Sequence, residues 1–299
     1  MGKIRKKFRQ MGKALRMEMK EHKSSFIVFL VLRAAVILTL ILETLNGNFE
    51  NVFLCILTLL LLVVPSFIQM EFKIELPTVL EIFILIFIFA AEILGEISSF
   101  YVKIPIWDTV LHTINGFLAA AIGFSLVDLL NGNEKIQFKL SPIFMAVVAF
   151  CFSMSIGVIW EFFEFGMDSF FHMDMQKDTI IHSIQSVKLN PTGQNIPIKL
   201  EHIKTVIVNG HELGLKGYLD IGLVDTMKDL LVNFVGAIIF SVIGFFYVKS
   251  RGKNTIISRF IPRMKDNEAD FLKHVKDEEE KEELLELEKS IDLQKRIDK

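Results

Sequence analysis

The chain has 299 residues, 52% of them hydrophobic with 28 Phe among them, and a mean hydropathy of +0.45. Its 33 basic and 35 acidic residues leave a net charge of −2, and they gather at the ends and in loops. That segregation excludes an ordinary soluble globule in favour of an integral membrane protein, and the balanced charge gives no reason to expect a nucleic-acid partner.

The first element, residues 1–24, is a basic segment. Ile4, Phe8, Met11 and Leu15 form one apolar stripe among Lys and Arg, which predicts an amphipathic helix lying on the anionic lipids of the inner leaflet rather than a loose basic tail. A full-length span follows with no small-residue cleavage site nearby, so no cleaved signal is expected. MGKIRK lacks Ser or Thr at its sixth position, which argues against myristoylation.

Six apolar runs of spanning length come next, at 25–45, 50–69, 78–98, 107–130, 142–165 and 224–248. NGN at 46–48, Pro77 and NGNEK at 131–135 punctuate them. Cys55 and Cys151 fall inside these runs, which reads as packing, with no disulfide framework and no zinc motif. Basic residues flank the first span (Lys3 to Lys23) and follow the last (Lys249, Arg251, Lys253, Arg259, Arg263, Lys265). An even number of spans places both flanks on one side, and the positive-inside rule makes that side the cytoplasm, together with the loops carrying Lys73, Lys135 and Lys139.

The segment 166–223 is then extracytoplasmic. Within it IKTVIVNGHELGL reads as strand, Asn209-Gly210 turn, strand, and IPIKLEH as a further extended piece. Asp174, Asp178 and His182 would share one face if their segment were helical. The tail 249–299 is rich in Glu and Lys. Leu284, Leu287 and Ile291 have heptad-like spacing too short for a coiled coil, so a solvated helix is expected. The expected fold is an all-α polytopic membrane protein, a six-helix bundle with a small extracytoplasmic β-hairpin insert between the fifth and sixth spans.

The chemistry is expected where WEFFEFGMD, Trp160 to Asp168, ends the fifth span. Offsets of three and seven residues put Glu161, Glu164 and Asp168 on one helix face. Counting about 20 residues from the cytoplasmic end of each span reaches Glu161 and Glu164 in the fifth, His112 and Asp108 in the fourth, Asp229 in the sixth and Glu96 in the third. Asp225 and Asn233 flank Asp229 one turn either side, and Glu92 lies one turn from Glu96. Four helices thus carry ionisable groups at one level, and carboxylates at a shared depth repel unless something compensates. The bland alternative is interfacial: Trp107 and Trp160 suit the aromatic belt, where carboxylates are hydrated, and Asp108 or Asp225 could serve a helix start. Arg33 lies nearer the cytoplasmic end, within reach of Glu81, so it is expected to pair there or to snorkel. Oxygen ligands with one imidazole suit Mg²⁺, Mn²⁺, Ca²⁺ or Zn²⁺, although no specific metal signature is present. The expected ligands are Asp108, His112, Glu161, Glu164, Asp225 and Asp229.

WDTVLHTINGF, IWEFFEFGMD, DMQ at 174–176 and YLDIGLVDTMKDLLVNFVGA together resemble bacterial membrane proteins of the YjdF-like group, distantly similar to VanZ-like proteins, over roughly 80–248. The resemblance implies a bacterial plasma-membrane protein whose characteristic polar positions fall on Asp108, His112, Glu161, Glu164, Asp225 and Asp229. It implies a fold and a site without naming a reaction. Three functions stay open. One is a metal-assisted hydrolase or transferase on a lipid-linked or envelope substrate, with His112 or Glu164 handling protons. The second is a cation- or proton-coupled carrier. The third is a non-catalytic membrane module with a structural ion site.

Overall fold

The computed structural model describes residues 2–21, 23–72, 74–131, 140–250, 257–265 and 270–297. Lys73, Lys135, Lys139, Arg251 and Lys253 lie outside the described residues, as do the side chains of Ile4, Phe8, Leu287 and Ile291. Among the described residues six helices are long and apolar enough to cross a membrane: Lys23–Asn46, Phe49–Glu71, Thr78–Ile97, Trp107–Asp128, Pro142–Phe171 and Leu223–Lys249.

The element order follows local chemistry. Helix α1 is Gly2–Glu21 and α2 is Lys23–Asn46. The second span is two helices, α3 (Phe49–Leu61) and α4 (Val64–Phe72). Pro65 causes the break, because it has no N–H to donate back and disfavours helix in the residue before it. Helix α5 (Thr78–Phe89) passes into a π-helical stretch, Ala90–Ile97, which carries Glu92 and Glu96. A short helix α6, Phe100–Lys103, leads to α7, Trp107–Asn131. Ser141 caps α8 (Pro142–Phe171), its Oγ accepting the Phe144 N–H at 3.3 Å, with Pro142 in the first turn where no N–H is missed. Helix α8 has 30 residues, roughly 45 Å at 1.5 Å each, so it outlasts the roughly 30 Å hydrocarbon layer. Helices α9 (Leu223–Lys249) and α10 (Phe271–Ile297) complete the chain.

Helices α7, α8 and α9 form the tight core of the bundle. Phe124, Met145, Ala149 and Phe240 are wholly buried there, packed with Ala120 and Ala121. Helices α2, α3 and α5 make a second apolar cluster around Val36, Cys55 and Leu85. Cys55 is buried as its apolar run suggested, whereas Cys151 is exposed on the lipid-facing side of α8. Arg33 lies over the Phe29 ring at 5.7 Å, and Glu81 accepts from Gln69 Nε2 at 3.3 Å.

Both ends of the chain meet at one end of the bundle. Ala14, Met70 and Val275 pack α1, α4 and α10 together. Strand β1, Ile74–Glu75, pairs antiparallel with β8, Arg263–Met264. The expected solvated tail is therefore a docked helix on one face: Val275 and Glu279 are buried against α1, while Leu284 and Leu285 stay exposed.

The insert between α8 and α9 is β-rich. Strand β2 (Ile180–Ile181) pairs with β7 (Tyr218–Leu219), β3 (Ile184–Ser186) with β4 (Ile198–Leu200), and β5 (Ile207–Val208) with β6 (His211–Glu212). The last pair turns at Asn209-Gly210, both at positive φ (51° and 83°), as a two-residue hairpin turn of that type requires. The segment of Asp174, Asp178 and His182 is not helical, so the shared face that a helix there would give them does not form. Residues 172–179 are irregular, because carboxylates of Asp168, Asp220 and Asp225 take their backbone N–H groups in place of a helical ladder.

Candidate functional site

The site is set by how closely α7 and α9 approach. A Cβ at Gly116 would collide with the Asn233 carbonyl, and one at Gly236 with the Thr113 carbonyl, so only glycine lets the two backbones touch. Ser153 of α8 donates to the Gly116 carbonyl at 2.7 Å, and Gly157 packs against the Asn233 amide. The two helices run parallel, so contact at Gly116 and Asn233 brings His112 beside Asp229 one turn nearer the distal end, away from the termini.

There His112 Nε2 lies 3.5 Å from Asp108 Oδ1 and 3.8 Å from Asp229 Oδ2. One donor atom from each of Asp108, His112 and Asp229 lies within 4.8 Å of the others, the size of a coordination sphere. Asp229 is 1% exposed, and its Oδ1 has no hydrogen-bond partner. A buried carboxylate oxygen without a donor is costly unless a cation or a proton meets it.

The remaining expected ligands are close but differently engaged. Asp225 Oδ2 accepts the Lys177 N–H at 2.9 Å, which ties the insert to α9. Glu164 Oε1 accepts from Trp160 Nε1 at 2.8 Å. Glu161, 5% exposed, faces Thr226 and Gln176, and its Oε2 lacks a partner. Thus Asp108, His112 and Asp229 come together as one group, with Asp225, Glu161 and Glu164 buried around it. Glu96 faces Asp108 and Lys177 across the rim. Asp168 points away to the insert, accepting the Met175 and Gln176 N–H groups at 2.6 and 2.8 Å.

Some site residues leave no periodic signal in the sequence. Tyr101, in the short helix α6, rests its ring in the space that Gly95 leaves on the π-helical stretch. Burial, then the charges of Glu96, Asp108, Glu92 and Glu164, hold its hydroxyl protonated well above the usual tyrosine range. A phenol so held is a hydrogen-bond donor among carboxylates. Gln176 donates to Thr226 Oγ1 at 2.6 Å and closes the insert over α9. Lys177 and Lys228 supply positive charge near the acidic groups, which the apolar periodicity of the spans could not reveal. The DMQ string at 174–176 was the one sequence signal for this capping strap.

Two carboxylates and an imidazole, with an unpartnered buried oxygen, fit a divalent cation of the hard or borderline kind.

A family model described as a predicted membrane protein (DUF2238) matches residues 25–250, which include the whole site and all six spans but for Lys23 and Ser24. No curated protein and no solved structure matches.

Proposed function

We propose that this chain, which belongs to the DUF2238 family of predicted membrane proteins, binds a divalent cation through Asp108, His112 and Asp229 and uses it to hydrolyse or transfer a group on a lipid-linked substrate. The observation that carries the reading is Asp229 Oδ1, buried and unpartnered, in a group of coordination size. When bound, such a cation supplies a Lewis acid and lowers the pKa of water. The chain's own residues supply the rest. Glu164, oriented by Trp160, handles a proton beside the group, and Tyr101 donates to developing negative charge. The strap 172–179, tied to α9 through Gln176 and Lys177, borders the site on the side of the insert.

Helix α8 supports the choice of a lipid-linked substrate. The face opposite Glu161 and Glu164 exposes Phe162 and Phe163, so acyl chains pack against the helix that walls the site. The finer YjdF-like and VanZ-like likeness would place this chemistry in a bacterial envelope.

A second reading, a cation or proton carrier, has one observation in its favour. The unpartnered polar atoms continue along α9, to Asn233 Oδ1 and Ser241 Oγ. Against it, Phe117, Phe124 and Phe240 interlock edge-to-face, with centroids 5.1 and 6.0 Å apart, between those two residues.

Metal analysis of the purified protein beside Asp229→Asn and His112→Ala tests the proposal. One equivalent of divalent metal in the wild type, lost in folded variants, together with metal-dependent turnover of a lipid-linked substrate, supports it. Folded wild type that takes up none of Mg²⁺, Mn²⁺, Ca²⁺ or Zn²⁺ overturns it. Metal-independent ion flux in proteoliposomes would favour the carrier.

A further inference from the structure

Helix α1 carries a basic stripe at helical spacing: Lys6, Arg9, Lys13, Arg16 and Lys20 stand three or four residues apart and so share one face. Helix α10 covers the first three. Glu283 pairs with Lys6 at 2.5 Å, and Glu279 receives Gln10 at 2.9 Å, Lys13 at 3.1 Å and Arg9 at 3.2 Å. The other two, Arg16 and Lys20, are exposed just ahead of the span that starts at Lys23, at the level where lipid headgroups begin. Nearer the bundle the contact is of another kind. Lys265 and Glu18 form an ion pair with side chains 3% and 2% exposed, beside the apolar Ala14–Met70–Val275 cluster.

The geometry points to α10 as an intramolecular occupant of a surface on α1 that anionic lipid headgroups also fit. The charge is complementary to either occupant, and the uncovered end of the stripe lies in the headgroup layer. The Lys6–Glu283 pair is exposed on both sides and holds a helix weakly; at Glu279 the carboxylate is 6% exposed, but its basic partners Arg9 and Lys13 are exposed, so they exchange it for lipid phosphates while the carboxylate regains water as α10 lifts. The buried Lys265–Glu18 pair and the apolar cluster do not exchange so readily, since separating either partner leaves a charge without compensation. The distal part of α10 therefore lifts while its start stays docked. Anionic lipid at the membrane surface sets how much of α1 is free.

Two spin labels on the full chain read this directly. In a Cys151→Ser background, Gly12→Cys and Leu285→Cys place labels on exposed positions of α1 and α10; a side chain at Gly12 meets nothing within 4 Å. In nanodiscs of phosphatidylcholine alone, a single short distance is expected. Adding phosphatidylglycerol should shift the population to longer, broader distances. Arg16→Gln with Lys20→Gln should raise the fraction of phosphatidylglycerol needed several-fold. Glu279→Gln with Glu283→Gln should open the pair without anionic lipid, and serves to show that the labels report opening. Unchanged distances in phosphatidylglycerol, with that variant open, would overturn the proposal. So would equal opening by inorganic phosphate in neutral nanodiscs, since the surface would then answer to ions in solution and not to lipid.

Discussion

Asp229 shows how one residue can carry both a cost and a use. It is 1% exposed, flanked by His112 and Asp108, and keeps one oxygen unsatisfied. An amide at that position removes the charge while keeping the shape. Asp229→Asn should therefore melt at or above the wild-type Tm in chelator, yet gain nothing from added cation. The wild type should gain about 2.7 kcal/mol at a free cation concentration a hundred-fold above Kd. Thermal unfolding in detergent, with and without cation, checks both arms. Gly116 makes the complementary case. Gly116→Ala drives a methyl into the Asn233 carbonyl, so α7 and α9 must part at a cost of about 1–3 kcal/mol, and cation affinity should fall with stability. Gly12→Ala, with open space around it, should do neither.

At the scale of elements, the sequence pattern identified spans, turns and the hairpin because each rests on local rules. Apolar length and Asn209-Gly210 belong to this class. Spacing alone is silent or misleading where side chains outside the element decide. Asp174, Asp178 and His182 have helical spacing, but three distant carboxylates hold their segment irregular. The tail reads as solvated because its charges dominate, whereas α1 presents opposite charges for Glu279 to meet. Lys13 first, then Gln10 and Arg9, hold the Glu279 carboxyl below the usual glutamate range. A depressed carboxylate contributes stability above its ordinary pKa and loses it as pH falls through the folded one. The α1–α10 contact should therefore hold at neutral pH and loosen under acid, with amide exchange in Phe271–Ile297 rising first there. Glu279→Gln should remove that pH dependence. Loss of the Ser153–Gly116 bond in Ser153→Ala should cost about 1 kcal/mol in thermal unfolding, because the carbonyl it serves is buried.

On the scale of the molecule, the termini share one end of the bundle and the insert, with the site, occupies the other. Cysteines placed at Lys7 and Lys281 should react with an impermeant maleimide from one side of a sealed membrane, and one at Lys204 from the opposite side. All three residues are exposed. Labelling of all three from one side would contradict a six-span bundle in the membrane. What the sequence by itself determined is the set of spans and the level of their polar groups, because apolar length and distance along a helix are properties of each segment alone. Which polar groups meet was decided only by tertiary structure. Asp108, His112 and Asp229 converge because Gly116 and Gly236 let two helices touch, while Tyr101 arrives from the short helix α6 and Gln176 and Lys177 from the irregular strap, whose courses no periodicity describes. Convergence depends on where backbones can approach and which carboxylates claim which N–H groups, and those contacts join residues far apart in the chain.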